Sequence, residues 1–575
     1  MKLKEDLAPR LPPLVALLAL AWSPVSAPAQ GPEFDLLIRN GRILDGTGNP
    51  FYVADLAVKG DRIAAIGMIA PSRAARVLDA TGLYLTPGFI DMHSHSGNRD
   101  GSIDHAEGRK AANSVTQGIT TETINPPWPV GEQLARYRRN GHALNEVVSV
   151  NFGQIRDLVM GVENRPATPA ELERMRGLIR QGFSEGARYL FVNLENGIPD
   201  RFALTDELVE VAKTVHELGG YYDTHQRSEG ITPIWYHPSR QDYDARSESP
   251  VVDGVDAVRE TIEIAERSGA KLVGHHVKVK GPNFWGASRS YVQLMDRARE
   301  RGVQVYFSIY GYTSYGNWPG VAVIPPWALT DPGVHARLLR GVPDPYANAK
   351  ANFRRVLADP ELKRHLLIDV EHQFTKAGGP ERLLLVEYPD PQYIGKTLQQ
   401  IAEIRKQDPM DALFWIQLNG EDRPGGGGWR AIDTDDGDVD HFIQQDYVAY
   451  VTDGGMIVPG EGYPHPRYYG IFPRFIRRYA LDRQVVKLPF LIRGMTSLAA
   501  QIIGLPDRGS LRVGHYADIN VFDPVTIRDY ATYMNPHQHS TGFRYVLING
   551  AMVVDDGRPT GALPGRILPW PRADF

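Results

Sequence analysis

The middle of this 575-residue sequence alternates helical and strand-like segments, and that rhythm restricts the possible folds more than any other feature. Apolar residues at helical spacing over 208–218 precede the strand-like run 221–225, and the same order recurs over 255–265 and 271–276. Repeated β-α units predict a parallel sheet, because each helix carries the chain back to start the next parallel strand. The length of the region favours a (β/α)8 TIM barrel over an open sheet.

Both ends of the sequence are instead rich in short strands and turns. Strand-like runs within 35–66 and 517–554 are joined by turn signals such as Asn40-Gly41 and Asn549-Gly550. We therefore predict an α/β protein whose barrel carries a small β-sandwich domain built from both chain ends. The predicted boundaries are 30–85 and 491–575 for the β-domain, the latter including the last barrel helix, and 86–490 for the barrel with its insertions.

The first thirty residues predict a signal peptide. Basic residues precede the apolar stretch 14–22, which is too short to span a bilayer, and the small residues of 26–29 suit a cleavage site. We expect residues 1–29 to be removed and the mature chain, beginning near Gln30, to be exported to the periplasm or secreted. The alternative is a disordered Pro-rich leader or a misassigned start.

Composition excludes several classes of protein. The net charge is −5 and no basic run stands out, so we expect no nucleic-acid partner. No further segment is apolar enough to predict a membrane span, and the sequence does not indicate an oligomeric state. The chain has no cysteine, which excludes disulfides, thiolate metal ligands and a Cys nucleophile. Any metal site must therefore use histidines and carboxylates.

The strongest local signal is a pair of histidines, His93 and His95, at the end of the strand that opens the α/β region. Residues i and i+2 of a strand point to the same side, so both imidazoles can face the barrel interior and share one cation. Two later predicted strands also end in histidine, at His225 and at His275-His276. Barrel enzymes place catalytic groups at such strand ends, and imidazole is the commonest metal ligand.

The last predicted strand ends in an acid, Asp453, within the run 450–455. By itself an Asp-Gly pair indicates only a turn. At the mouth of a metal-binding barrel, a carboxylate can bind the metal and accept a proton from metal-bound water.

Taken in order, these motifs resemble the D-aminoacylase (N-acyl-D-amino-acid deacylase) branch of the amidohydrolase superfamily, from about residue 35 to about residue 567. No single motif is as specific as the ordered set. The segments that carry the resemblance are 88–95, 117–121, 224–227, 276–282 with Trp285-Gly286, 452–454, 465–470, 507–509, 514–518 and 522–524.

The resemblance implies a zinc-dependent hydrolase, with one or two Zn²⁺ ions, that cleaves the acyl-amide bond of a small-molecule substrate, an N-acyl-D-amino acid. In the family motif the histidine precedes a lysine by two positions. Lys278 matches that lysine, which selects His276 rather than His275. Lys278 and Arg467 are implied to hold the α-carboxylate of the substrate, for which an Arg fork is well suited. The implied metal-site residues are His93, His95, His225, His276 and Asp453.

The sequence departs from the family at one ligand. Family members usually carry a metal-binding Cys shortly after the segment that here is 118–121, and this chain has none. We predict that Glu195, at a strand end, supplies a carboxylate ligand instead, with Glu122 as the second candidate. The alternative for Glu195 is a capping acid, and the departure leaves metal number and substrate class open.

In the predicted mechanism, zinc lowers the pKa of a bound water to roughly 7, and Asp453 accepts the proton and passes it to the leaving amine. Two other functions stay open. One is a different amidohydrolase reaction at the same site, on a cyclic amide, dipeptide or lactone, since fold and ligands alone do not set the substrate. The other is a non-catalytic relative that binds metal or ligand, which would have no need of the proton acceptor Asp453.

Overall fold

We describe a computed structural model of the chain over residues 32–96, 103–195, 197–230, 253–316, 323–332 and 344–569. The predicted signal peptide and its cleavage site near Gln30 lie outside these residues. Among the helices of the described part, none combines the length and apolar character needed to cross a membrane.

Nineteen strands are described, and they belong to three sheets. In chain order they are β1 (Phe34–Ile43), β2 (Tyr52–Lys59), β3 (Arg62–Gly67), β4 (Ala74–Asp79), β5 (Tyr84–Pro87), β6 (Phe89–Asp91), β7 (Ile119–Ile124), β8 (Asn145–Asn151), β9 (Tyr189–Asn193), β10 (Tyr221–His225), β11 (Lys271–Gly274), β12 (Val305–Ile309), β13 (Leu383–Glu387), β14 (Gly428–Ala431), β15 (Val448–Tyr450), β16 (Ile519–Phe522), β17 (Phe543–Ile548), β18 (Ala551–Asp555) and β19 (Arg558–Pro559).

The described α-helices lie mostly between barrel strands, and a π-helical turn, Phe475–Asp482, follows the thirteenth of them. In chain order they are α1 (Ala112–Val115), α2 (Val130–Asn140), α3 (Phe152–Met160), α4 (Pro169–Glu185), α5 (Thr205–Glu217), α6 (Gly254–Ser268), α7 (Ser288–Glu300), α8 (Ala349–Ala358), α9 (Pro360–Ala377), α10 (Leu398–Arg405), α11 (Pro409–Asn419), α12 (Asp436–Ile443), α13 (Arg467–Arg474), α14 (Leu488–Met495) and α15 (Ser497–Ile503).

Eight parallel strands form a nearly closed barrel, which confirms the predicted fold class. They pair side by side from β6 through β12, and β15 then pairs with β12. The predicted helix-strand order is present in α5, β10, α6 and β11. Local chemistry fixes the helix ends: the Asp253 side chain accepts hydrogen bonds from two backbone N–H groups that begin α6, and Gly269 ends it at φ 72°.

The first and last barrel strands meet at a seam that hydrogen bonds close. Asp453 N donates to His93 O at 3.0 Å, and His95 N donates to the carbonyl of residue 454 at 2.5 Å. The buried Asp91 carboxylate accepts from Thr452 N at 3.0 Å and from Thr452 Oγ1 at 2.5 Å. The seam therefore joins segments from opposite ends of the barrel sequence and brings their polar residues together.

Strands from both chain ends form a separate mixed sheet, in the order β19-β18-β17-β16-β5-β1-β2-β3, with β4 also paired to β1. The junction between the two ends is the antiparallel pair β16 and β5. Buried apolar residues from both ends, such as Leu56 and Val521, share one core beneath this sheet. The first barrel strand begins at Phe89, two residues after β5 ends.

An insertion between β12 and β15 has a hydrophobic core of its own. It contains the antiparallel pair β13 and β14 together with helices α8 to α11. Phe353, Leu385 and Trp429 are among the fully buried residues of that core. The insertion matters for the site because α9 delivers one side chain, Lys376, to the mouth of the barrel.

Candidate metal centre

The sequence-predicted site residues gather at the carboxyl-terminal mouth of the barrel, where this fold holds its catalytic groups. His93 and His95 follow β6, His225 is the last residue of β10, and Asp453 lies three residues past β15. His276 lies two residues past β11, because that strand ends at Gly274 rather than at the histidines. His93, His276 and Asp453 are buried, whereas His95 and His225 are partly exposed.

Two imidazoles converge on one carboxylate oxygen, and we call His93, His95 and Asp453 the His–Asp group. His95 Nε2 lies 2.8 Å from Asp453 Oδ1, and His93 Nε2 lies 3.5 Å from the same oxygen. His93 Nε2 is buried and has no hydrogen-bond partner among the described residues. Ligands about 2.0–2.1 Å from a tetrahedral zinc stand roughly 3.3 Å apart, so this spacing suits donors that share one ion.

His93 is held from behind by Asp223 and His275. The His275 ring stacks on the His93 ring with centroids 3.8 Å apart, and its Nδ1 lies 3.1 Å from Asp223 Oδ2. The same oxygen lies 3.6 Å from His93 Nδ1. Burial opposes protonation of His93, but Asp223 and Asp453 outweigh it and raise its pKa to about 9. A carboxylate behind a histidine fixes the ring orientation that a metal ligand needs.

Asp453 is constrained by its backbone and by Arg467. Its φ is 49°, in the left-handed region that residues other than glycine seldom adopt and that clusters at functional sites. Arg467 NH1 lies 2.9 Å from Asp453 Oδ2, and the guanidinium stands 4.6 Å over the ring of Tyr310. Burial would raise the pKa of Asp453, but Arg467 and His276 hold it well below the usual value. The carboxylate is therefore ionised at neutral pH.

A second buried cluster lies beside the first, and we call Glu195, Glu229, Lys278, Lys280 and Lys376 the Lys–Glu group. Glu195 Oε1 lies 3.4 Å from Lys376 Nζ, and Glu195 Oε2 lies 2.8 Å from Lys280 Nζ. Glu229 Oε1 lies 2.8 Å from Lys278 Nζ, and Glu229 Oε2 contacts Lys280 Nζ. Each of the four carboxylate oxygens thus faces an ammonium group.

His225 and His276 lie between the two groups. His225 Nε2 is 2.9 Å from Glu195 Oε2 and 3.5 Å from Glu229 Oε2. His276 Nδ1 is 2.9 Å from Glu229 Oε1, while its Nε2 is 4.0 Å from Asp453 Oδ2. With Glu229 these two histidines form another set of possible metal donors, all within 4.8 Å of one another.

The three lysines respond differently to the same burial. Burial lowers the pKa of Lys278, and it lowers that of Lys376 to about 8 despite Glu195. For Lys280 the two carboxylates outweigh burial and raise the pKa well above its usual value. Lys280 is therefore the most firmly charged cation of the Lys–Glu group.

The structure also places the remaining sequence candidates. Glu195 lies beside His225, at hydrogen-bond distance, whereas Glu122 lies opposite Glu146 in the strand pair β7–β8 and belongs to none of the donor sets. Lys278 and Arg467, the predicted substrate-binding residues, both lie at the site, paired with Glu229 and Asp453 respectively.

Sequence reasoning missed four residues of the site: Asp223, Glu229, Lys280 and Lys376. Signals existed for two of them. Glu229 follows His225 at a distance of four residues, and Lys280 stands within the motif that contains Lys278. Nothing in the sequence pointed to Lys376, which lies 181 residues from Glu195 along the chain.

Comparisons with known proteins identify related amidohydrolases. Residues 448–554 match the family described as the amidohydrolase family. The D-aminoacylase of Alcaligenes xylosoxydans xylosoxydans is 29% identical over 561 residues, covering 93% of this chain and 97% of the relative. Over almost its whole length the chain is similar to the D-aminoacylase branch of the amidohydrolase superfamily. It is a metal-dependent amidohydrolase, a hydrolase that acts on C–N bonds other than peptide bonds.

Two further relatives are similar to almost the whole chain. The N-acyl-D-glutamate deacylase of Alcaligenes xylosoxydans xylosoxydans is 27% identical over 570 residues, covering 93% of this chain and 96% of the relative. The crystal structure of the N-acyl-D-glutamate deacylase from Bordetella bronchiseptica has a TM-score of 0.69 and 26% identity, covering 94% of this chain and 100% of that one. That structure is a complex with zinc and a phosphonate inhibitor that mimics the tetrahedral intermediate.

Proposed function

We propose that this protein hydrolyses the acyl-amide bond of N-acyl-D-amino acids at a centre that holds one or two Zn²⁺ ions. The observation that carries the proposal is the convergence of His93 Nε2 and His95 Nε2 on Asp453 Oδ1. Support also comes from the D-aminoacylase and the N-acyl-D-glutamate deacylase, to which the chain is similar over almost its whole length.

The residues present fit a zinc ion. Imidazole nitrogens and carboxylate oxygens are ordinary zinc ligands, and the buried His93 Nε2 lacks a hydrogen-bond partner within the described part of the chain. In this proposal His93, His95 and Asp453 hold an ion, and His225, Glu229 and His276 form another available donor set. A zinc ion bound there would acidify a water and polarise the acyl oxygen.

The protein's own groups would handle the proton and the substrate. Asp453 is ionised at neutral pH, so it can accept the proton of the attacking water and deliver it to the leaving amine nitrogen. Its neighbour Arg467 places a planar cation beside the reacting groups, where the α-carboxylate of an acyl amino acid would come. Lys278, on the other side of His276, is the second cation assigned to that carboxylate.

A hydrolysis screen tests the proposal. The purified protein would be assayed on N-acetyl-D- and N-acetyl-L-amino acids, cyclic amides, dipeptides and lactones, before and after treatment with a chelator. We expect release of D-amino acids that stops on chelation and returns with added Zn²⁺. Cleavage of a cyclic amide or lactone without any deacylation would contradict the proposed substrate class, and D-deacylation unaffected by complete metal removal would contradict the metal mechanism.

We also propose that the chain is exported, to the periplasm or beyond. The support is the basic start, the short apolar stretch 14–22 and the small residues of 26–29 in the sequence. N-terminal sequencing of the protein from fractionated cells should find a mature start near Gln30 outside the cytoplasm. Intact Met1 on cytoplasmic protein would rule the export proposal out.

A further inference from the structure

The Lys–Glu group already neutralises its own carboxylates. Its two glutamates present four oxygens, and every one of them faces a lysine ammonium. Lys280 is shared between Glu195 and Glu229 and is 2% exposed, so this cation belongs to the interior of the site. Three buried ammonium groups thus surround two carboxylates.

The carboxylate of the His–Asp group has no lysine partner among the described residues. It pairs with Arg467 through Oδ2, which leaves Oδ1 to the two imidazoles. The His95 side chain is 32% exposed, so this group also has contact with solvent, from which an ion and a water can enter. Catalytic zinc sites keep one coordination position for water or substrate, which must be able to reach the ion.

We propose that Lys280 stands in the place of a second metal ion, so that the protein binds one divalent ion, held by the His–Asp group. This inference rests on the proposed function, because it concerns the number and position of the ions that the hydrolase uses. The Lys–Glu group then holds its lysine charges in a fixed position beside that ion. His225 and His276 lie between the Lys–Glu group and the His–Asp group.

Electrostatics and packing support this assignment. A divalent ion bound through Glu195 or Glu229 would have to displace Lys280 or remain beside its charge, and unit charges a few ångströms apart in a protein interior interact strongly. Lys280 Nζ stands 4.6 Å over the ring of Tyr315, so its ammonium is held by an aromatic face as well as by two carboxylates. Lys376 approaches from the insertion and contacts Glu195 on the other oxygen.

Metal counting on the full-length protein tests the proposal. Apoprotein would be titrated with Zn²⁺, freed of excess ion by gel filtration and analysed by mass spectrometry for zinc per chain. We expect one zinc per chain in the natural protein and two in Lys280→Met, because the methionine removes the charge and keeps the bulk. Two tightly bound ions in the natural protein would overturn the proposal, as would a single ion in a folded Lys280→Met.

Two further variants locate the ion and control for the loss of a lysine. Lys271, which donates to backbone carbonyls of residues 501 and 502 away from the site, gives the matched variant Lys271→Met, for which we expect one zinc. The double variant His93→Ala/His95→Ala should bind none. Retention of its ion would place the metal at His225 and His276 and refute the assignment. Circular dichroism verifies that each variant is folded.

Zinc counts and hydrolysis separate the two proposals. If the protein deacylates N-acyl-D-amino acids but holds two ions, the proposed function stands and the one-ion inference fails. If it holds one ion at the His–Asp group but cleaves none of these substrates, the inference stands and the proposed function fails.

Discussion

The His–Asp group and the Lys–Glu group lie side by side at one barrel mouth, and the carboxylates of each contact both histidine and cationic side chains. They differ in how the carboxylates are compensated. In the first group, one oxygen of Asp453 is left to two imidazole nitrogens. In the second, both oxygens of Glu195 and of Glu229 already face lysines. Under the one-ion proposal, donor residues alone do not make a metal site, because the cations that already pair with them must also be counted.

The largest expected effect comes from removing the carboxylate of the His–Asp group. Asp453→Asn should lower kcat for an N-acyl-D-amino acid by about 10²–10⁴-fold, since it removes the proton acceptor and one metal donor. The matched control is Asp369→Asn, which alters a buried acid in the insertion, bonded to Trp327, and should keep kcat within a few-fold. A kcat for Asp453→Asn near that of the control would remove Asp453 from the mechanism.

The Lys–Glu group should respond in stability. Glu195→Gln leaves Lys280 and Lys376 with one carboxylate fewer between them, and breaking such a buried pair costs about 3–5 kcal/mol in the free energy of unfolding. Urea unfolding measures this loss, and zinc analysis of the same samples should still find one ion per chain. Adding Lys280→Met should restore part of the stability.

The Glu195 experiment also decides between two roles for that residue. The sequence predicts Glu195 as a metal ligand, with Glu122 as the second candidate. Loss of the zinc in Glu195→Gln with unchanged unfolding energy would favour the ligand role and weaken the contrast between the two groups. Glu122→Gln, whose side chain lies opposite Glu146 outside the donor sets, is the control and should retain its zinc.

A smaller effect is expected from Arg467, the cation paired with Asp453 of the His–Asp group. Arg467→Lys keeps the charge beside Asp453 but loses the planar fork that suits a carboxylate. We expect KM for an N-acyl-D-amino acid to rise about tenfold, which corresponds to roughly 1.4 kcal/mol of binding. Lys271→Met, at a lysine remote from the site, should leave KM unchanged, and an unchanged KM in Arg467→Lys would argue against contact with the substrate.

Much of this molecule could be predicted because its signals are local. Helix periodicity and strand runs gave the barrel, and the i, i+2 spacing placed His93 and His95 on one side of a chain segment. His225, His276 and Asp453 were predicted to lie at strand ends. These ends meet at one mouth, since all strands of a parallel barrel end on the same face.

The charge partners could not be predicted in the same way. Lys376 reaches Glu195 from α9 of the insertion, 181 residues further along the chain, and its helix carries no signal that it faces the site. Asp223 lies within β10, and the sequence does not indicate that its side chain points towards His93. Sequence motifs identified the candidate donors, whereas the cations that pair with them depend on how distant elements pack.

Because the His–Asp group spans the barrel seam, an ion bound there would also affect the stability of the fold. His95 and Asp453 lie 358 residues apart in the chain, just past the first and last barrel strands, which meet where the barrel closes. An ion that needs both side chains cannot bind before that closure, so its binding energy adds to the closed state alone, by about 4 kcal/mol at a free concentration a thousand times its Kd. The zinc would then stabilise the closed barrel. A chelator would destabilise the contact between its first and last strands as well as stop the reaction.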